Sequence, residues 1–212
     1  MLILGFGNRA RQGKDSAAEA IREFYDRKNH HLSKPIRVGI FKFATALYQE
    51  VNAAIKADGG VENTIKGIHE NFPGNDWVIA EKNPEVSDLA PYGKHPKVLQ
   101  FWGTEFRRNQ DPDYWVKKIF ASIPSNTDIA LVSDVRFPNE AAAIKQRGGY
   151  NINVKRLRDD GTQYFAPDRP ADHPSELALD GYNWDAYIVT KNPVMTGELA
   201  VTIAEYYRGI AN

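Results

Sequence analysis

Short apolar runs alternate with apolar residues at helical spacing along this chain, and the alternation predicts strands joined by helices. Leu2, Ile3 and Leu4 open as a buried strand that stops at Gly5 and Gly7, residues that tolerate positive φ where the chain turns sharply at a sheet edge. Ala17, Ala18, Ala20, Ile21 and Phe24 then recur at helical spacing, up to a polar run at 26–31. A second strand is predicted at 36–41. A helix follows at 44–56, with Ala46, Leu47, Val51, Ala54 and Ile55 on one face and Gly59-Gly60 closing it. Residues 61–96, broken by Pro73, Gly74, Pro84, Pro91 and Gly93, read as an irregular insertion rather than sheet. Helical pattern resumes at 95–110, interrupted by Gly103, and Asp111-Pro112 separates it from a further helix at 113–123.

Ile129, Ala130, Leu131 and Val132 form the most apolar strand. A helix at 139–146 with Ala142, Ala143 and Ile144 ends at Gly148-Gly149, and a strand at 150–156 starts at once. After a polar run at 157–180 come a fifth strand at 186–190 and a helix at 196–207. Strands alternating with helices in this way predict an α/β fold, a five-stranded, mostly parallel sheet with helices on both faces. There is no internal repeat and no low-complexity tail.

At 212 residues the chain suffices for one sizeable core with insertions and not for two independent ones. Lysine and arginine total 27, as do aspartate and glutamate, so no global field draws nucleic acid or an anionic membrane, and any anion is bound locally. The absence of cysteine excludes disulfides and thiolate metal sites and suits a reducing compartment. No apolar stretch reaches the length of a signal peptide or a membrane span. The expectation is a soluble cytoplasmic protein with no nucleic-acid or membrane partner.

The chemistry concentrates in LILGFGNRARQGKDSAA, where Gly13-Lys14 falls at a helix N-terminus whose unpaired amides and dipole attract phosphate. The pattern to compare is G-x-x-x-x-G-K-[ST], the P-loop. Its first glycine is replaced by Asn8, the non-glycine residue most at ease in the left-handed region, and Gly7 lies one residue early. Asp15, followed by Ser16, stands where a hydroxyl residue is expected. A carboxylate beside a triphosphate is repulsive unless a cation lies between, so Asp15 points to Mg²⁺, with Ser16 as a second ligand. The alternative is a solvated basic turn capped by Asp15 or Ser16.

Lys42, at the junction of the second strand and its helix, is placed to reach phosphate. Gln100, Thr104, Arg107 and Arg108 fall within two helical turns, a set suited to a nucleoside monophosphate. Arginine grips phosphate at two points, and Gln100 pairs with a base edge beside Trp102. The alternative is a solvated face with Phe101, Trp102 and Phe106 packed inward. Ligands in open parallel sheets bind beyond the carboxyl ends of the strands. That places Asp134 to orient metal-bound water or a substrate hydroxyl and Arg136 to neutralise phosphate, unless Asp134 caps the helix beginning near Pro138. The polar run containing Asp168, Arg169, Asp172, His173, Ser175 and Glu176 reads either as a flap that closes over nucleotide or as an ordinary long loop. His173 has no second histidine at metal spacing, so no zinc is assigned.

GKDS after a strand, LQFWGTEFRRNQDPDYWV, SDVRFPNEAAAIKQRGG, DHPSE and a last strand running to Asn192 span the whole chain. In these blocks and their order it resembles the deoxynucleoside monophosphate kinases of bacteriophages and their relatives. SDVRFPNEA and GTEFRR are more specific than the loop itself. The resemblance implies a three-layer P-loop NTPase fold in a single domain of residues 1–212, with an NMP-binding insertion at about 57–125 and a lid-like segment at about 157–180. It implies transfer of the γ-phosphoryl group of ATP to a dNMP with Mg²⁺, giving dNDP and ADP, in the host cytoplasm where the protein is phage-encoded. The family commonly has Asp at the position of Asp15, whereas Asn8 and Gln12 depart from its usual glycine and small residue.

Carried over position by position, with the readings above, Lys14, Arg11, Asp134 and Arg136 are the catalytic candidates. Asn8, Arg11, Gly13, Lys14, Asp15, Ser16 and Asn192 would bind ATP, Asn192 at the adenine end, with Asp15 and Ser16 on the metal. Lys42, Gln100, Trp102, Thr104, Arg107, Arg108, Asp134 and Arg136 would bind the acceptor, and Arg156, Arg158, His173, Ser175 and Glu176 would form the lid. The acceptor phosphate is already an anion at neutral pH, so catalysis is mostly alignment plus charge neutralisation. A kinase of another phosphorylated small molecule and a non-catalytic nucleotide-binding sensor are the other readings, and assembly as a homodimer is open. A GTPase switch needs Asn/Thr-Lys-x-Asp, and Thr190-Lys191-Asn192-Pro193 ends in proline instead.

Overall fold

The structure is a computed structural model describing residues 1–166 and 174–211. It divides into two compact units, one of residues 1–42 and 120–212 and one of Phe43–Ile119. The first holds β1 (Leu2–Gly7), α1 (Lys14–Asn29) and β2 (Val38–Phe41). The second holds α2 (Phe43–Ala57), α3 (Val61–Asn71) and α4 (Pro96–Gln100), and α5 (Tyr114–Ser122) carries the chain back. There follow β3 (Ile129–Val135), α6 (Pro138–Gln146), β4 (Tyr150–Arg156), α7 (Pro174–Leu177), β5 (Ala186–Thr190) and α8 (Pro193–Ala211).

The five strands form one all-parallel sheet in the order β2-β3-β1-β4-β5. Side chains alternate across it. Leu4 and Phe6 point into a core with Ala17, Ala18 and Ile21 of α1 and Ala200 and Ala204 of α8. On the other face a Cβ at Gly5 would meet Ile144 of α6. The inner strands β1 and β3 are therefore covered on both sides, which is why their starts read as continuous apolar runs. Small residues let the helices approach closely: a Cβ at Gly197 would lie 2.8 Å from that of Ala20. The helices that follow the neighbouring strands β1 and β3 go to opposite faces, and this opens a crevice at the carboxyl ends. Among the described residues no helix is long and apolar enough to cross a membrane.

Several boundaries differ from the sequence reading. β1 runs on through Gly5 and ends at Gly7, and neither glycine has positive φ. Glycine stands there because neighbours occupy the space of a side chain: Ile144 and Asn151 at Gly5, Trp184 at Gly7. The left-handed turn comes later, at Asn8, Arg11 and Gly13. α3 lies in the stretch expected to be irregular. Its Ile65 and Ile68 pack with Val51 and Ile55 of α2, a helical spacing overshadowed by the prolines and glycines after it. The helix expected over 95–110 is α only to Gln100 and widens to π over Phe101–Arg108, which brings Phe101 and Phe106, five apart, into a stack at 6.3 Å. α8 begins three residues before its expected start because Asn192 caps it, its Oδ1 accepting the Val194 N–H at 2.8 Å.

Candidate functional site

The loops after β1, β3, β4 and β5 line a cleft of about 340 Å³ in the first unit. The loop of residues 8–13 is built on three left-handed residues, Asn8 (φ 100°), Arg11 (φ 56°) and Gly13 (φ 98°). Only Gly13 takes this conformation without steric cost. Asn8 offsets its cost locally: Nδ2 donates to Asn153 Oδ1 at 2.9 Å and Oδ1 accepts the Arg9 N–H at 2.8 Å. Gln12, 2% exposed, donates from Nε2 to the Tyr164 carbonyl at 2.8 Å and accepts the Arg156 N–H at 2.9 Å. The loop is thus pinned to the chain after β4.

α1 starts at the end of this loop, where first-turn amides have no intrahelical acceptor. Lys14, its first residue, is buried with its side chain folded back so that Nζ donates to the Arg9 carbonyl at 2.6 Å. Burial lowers the ammonium to about pKa 7, the positive charge of Arg136 adds to this, and the carboxylates of Asp134, Asp15 and Glu176 oppose it. An anion entering the cleft would hold the proton on Lys14.

Asp15 Oδ1 accepts from Ser133 Oγ at 2.6 Å and pairs with Lys42 Nζ at 2.9 Å. Burial pushes this carboxyl up, but the bonds from Lys42 and Ser133 outweigh burial and hold it below the usual range. Ser133 and Asp134 both line the cleft because β3 carries a bulge there: Gly5 pairs with Val132 and Gly7 with Val135, so the bulged strand re-aims two successive side chains. Asp134 lies within β3 and is no cap for α6. Glu140, 1% exposed, closes that helix instead, its Oε2 accepting the N–H groups of Arg136 and Phe137 at 2.8 and 3.1 Å.

The cleft therefore gathers Arg11, Gly13, Lys14, Asp15, Ser16, Asp134, Arg136, Arg156 and Asn192 from the expected set. It adds Gln12, Ser133, Thr190, Lys191, Pro193 and Thr196, which the sequence reading did not assign. Ser133 was signalled by its place at the end of the most apolar strand, and Thr190-Lys191 by ending the last one. Arg11, Lys14, Arg136, Arg156 and Lys191 face two carboxylates, Asp15 and Asp134, so the cleft favours a polyanion. The N-termini of both α1 and α8 border it. Asn8 supports the loop from outside the cleft lining, and Lys42 reaches the site through Asp15. Arg158 sits in a turn closed by its own N–H to Thr162, and Ser175 and Glu176 belong to α7. Glu176 is buried, its Oε1 2.6 Å from Arg136 and its Oε2 accepting the Ala10 N–H at 2.8 Å. His173 lies outside the described residues.

Gln100, Trp102, Thr104, Arg107 and Arg108 belong to the second unit. There Glu50, 13% exposed, gathers Arg107 Nε at 2.9 Å, Trp102 Nε1 at 3.2 Å, Lys118 Nζ at 2.6 Å and the Tyr114 hydroxyl. The Arg107 guanidinium also stacks on Phe106 and Tyr114, 4.4 and 4.7 Å from their ring centres. Phe101 is buried while Trp102 and Phe106 pack at the margin of the same cluster.

The chain matches no protein-family model, and no curated protein matches its sequence.

Proposed function

We propose that the protein is a deoxynucleoside monophosphate kinase, a phosphotransferase that moves the γ-phosphoryl group of ATP to a dNMP to give dNDP and ADP. The observation that carries this reading is the loop of residues 8–13 ending at Lys14, whose buried ammonium is folded back onto that loop, with Arg136 and Asp134 across the same cleft. In this reading the amides at the start of α1 and Lys14 hold the terminal phosphates of ATP. Arg11 and Arg136 offset charge that spreads over the transferring oxygens, and the α8 end at Asn192 takes the adenine side. Lys42, Asp134 and Arg136 orient the acceptor, and for the second unit the reading assigns acceptor contacts to Gln100, Trp102, Thr104, Arg107 and Arg108. Arg156, Arg158, His173, Ser175 and Glu176 are assigned to the closing segment.

The residues present suit Mg²⁺. Asp15 and Ser16 offer hard oxygen donors and would hold the ion, with phosphate oxygens and water in the rest of its shell. The Lys42 contact that Asp15 would give up is between half-exposed groups and worth little. Bound there, Mg²⁺ supplies neutralisation of phosphate charge.

A coupled ADP-release assay with ATP, Mg²⁺ and each of dAMP, dGMP, dCMP and dTMP tests the reading. Wild-type protein is expected to release ADP with at least one acceptor, and Lys14→Ala to lower the rate by about 10²–10³-fold with its circular dichroism unchanged. No turnover with any acceptor, or unaltered turnover in the variant, overturns it. A kinase of another phosphorylated small molecule is the second reading, because Trp102 and Arg107 are already bonded to Glu50. Phosphorylated sugars and pantetheine-like phosphates in the same panel separate the two.

A further inference from the structure

Glu176 has one carboxylate and two partners that are far apart in the chain. Its Oε1 lies 2.6 Å from Arg136 Nη1, and its Oε2 accepts the backbone N–H of Ala10 at 2.8 Å. The Glu176 side chain is 6% exposed and Ala10 4%, so the bond to Ala10 forms away from water, while Arg136, 22% exposed, meets the same carboxylate from the cleft side, and charge-assisted contacts of this kind hold geometry. Arg136 is fixed at its other end too, its backbone N–H bonded to Glu140. The guanidinium is therefore held at one nitrogen by Glu176 and at the main chain by Glu140 while it lines the cleft. The loop of residues 8–13 is registered to it through the same carboxylate. Within the segment expected to close over nucleotide, Glu176 is the residue that already bridges Arg136 and the loop of residues 8–13.

We propose that Glu176 is a positioning residue that sets the Arg136 guanidinium at a fixed place relative to the loop of residues 8–13. This rests on the kinase reading for what Arg136 does, and its geometry stands without it. Charge neutralisation at a transferring phosphoryl group depends on donors already in place, and a misplacement of about 1 Å costs about 10²-fold in rate. Two N–H donors face the carboxylate. Glutamine offers one acceptor oxygen and an amide that can only donate, so Glu176→Gln must break one of the two bonds whichever way the amide turns.

The experiment is a double-mutant cycle on the full chain with Glu176→Gln, Arg136→Ala and the pair. It reads kcat and the KM for ATP in the ADP-release assay and, independently, the dissociation constant of inorganic tripolyphosphate by calorimetry. Glu176→Gln is expected to lower kcat by about 10- to 100-fold and to weaken tripolyphosphate binding by about 3- to 10-fold, and to change neither further once Arg136 is alanine. A purely structural glutamate would lower the rate equally in both backgrounds, and that additivity overturns the inference, as does wild-type kcat in Glu176→Gln. Should the wild-type protein transfer no phosphoryl group, the kinase reading fails while the tripolyphosphate cycle still decides: non-additive losses uphold the role of Glu176, additive losses or no binding by the wild-type protein overturn it.

Discussion

Gln12 accepts the backbone N–H of Arg156 on its Oε1 at 2.9 Å, joining the loop after β1 to the end of β4 across 144 positions of sequence. The same amide donates to the Tyr164 carbonyl and, at 3.2 Å, to the carbonyl of Ala10 within its own loop. A small residue in this place would close a tight loop on itself. A buried glutamine instead makes the loop part of a hydrogen-bonded frame that reaches the segment following β4, and Arg9 adds to the frame through its two bonds to Asp180 at 2.8 and 3.1 Å.

Gln12→Ala removes the partner of one backbone N–H and of two backbone carbonyls. A buried polar group left without its bond costs about 1–3 kcal/mol, so the variant is expected to unfold in urea with its free energy reduced by that amount and an unchanged slope. If the protein is the kinase proposed above, the variant's affinity for ATP is expected to fall as well, because Arg11 and Gly13 lose the anchor between them. A variant as stable as wild type would show that water replaces the amide and that the loop stands by itself.

Strands β1 and β3 were legible because burial on both faces forces continuous apolar runs, and Ile129 to Val132 is the plainest case. Asp134 and Arg136 were legible for a related reason, lying at or just beyond the carboxyl end of an apolar run, and Lys14 because Gly13 precedes it where a helical pattern begins; both are local properties. What holds them in place was not. The bulge that turns Ser133 and Asp134 to the cleft together depends on the register between β3 and β1. The Glu176 contacts join residues 40 and 166 positions apart. Helix α3 has no such local signature: Pro73 and Gly74 break the pattern just after it, and the short spacing of Ile65 and Ile68 acquires its meaning from Val51 and Ile55 of α2, which fill the other side.

Gly7 tests the distinction between a glycine chosen for conformation and one chosen for space. Its φ is not positive, yet a Cβ there would lie 2.3 Å from the Trp184 ring and 3.1 Å from the Val135 carbonyl. Gly7→Ala is therefore expected to destabilise by overpacking, by about 1–3 kcal/mol in urea unfolding. Replacing Trp184 with leucine in the same chain is expected to recover part of the loss, since the smaller side chain vacates the contact. Equal losses with and without Trp184 would point to the Val135 carbonyl as the obstacle.

Glu50 supplies the pH prediction. Burial pushes its carboxyl up, but bonds from Lys118, Tyr114, Trp102 and Arg107 outweigh burial and bring it down to about 2 from an ordinary value of 4.5. A carboxylate whose folded pKa is depressed binds fewer protons folded than unfolded. Its stabilisation is complete above about pH 4.5 and is lost as pH falls toward 2. At 1.36 kcal/mol per pKa unit this contribution is about 3 kcal/mol. Glu50→Gln is expected to lower the unfolding free energy by about 2–3 kcal/mol at pH 7, with the deficit narrowing steadily between pH 4.5 and 2. Urea titrations of both proteins at pH 7, 4 and 3, followed by tryptophan fluorescence, check it. Subtracting one protein from the other cancels the remaining carboxylates, so a deficit that stays constant with pH would mean that Glu50 stabilises through packing and neutral hydrogen bonds rather than through its charge.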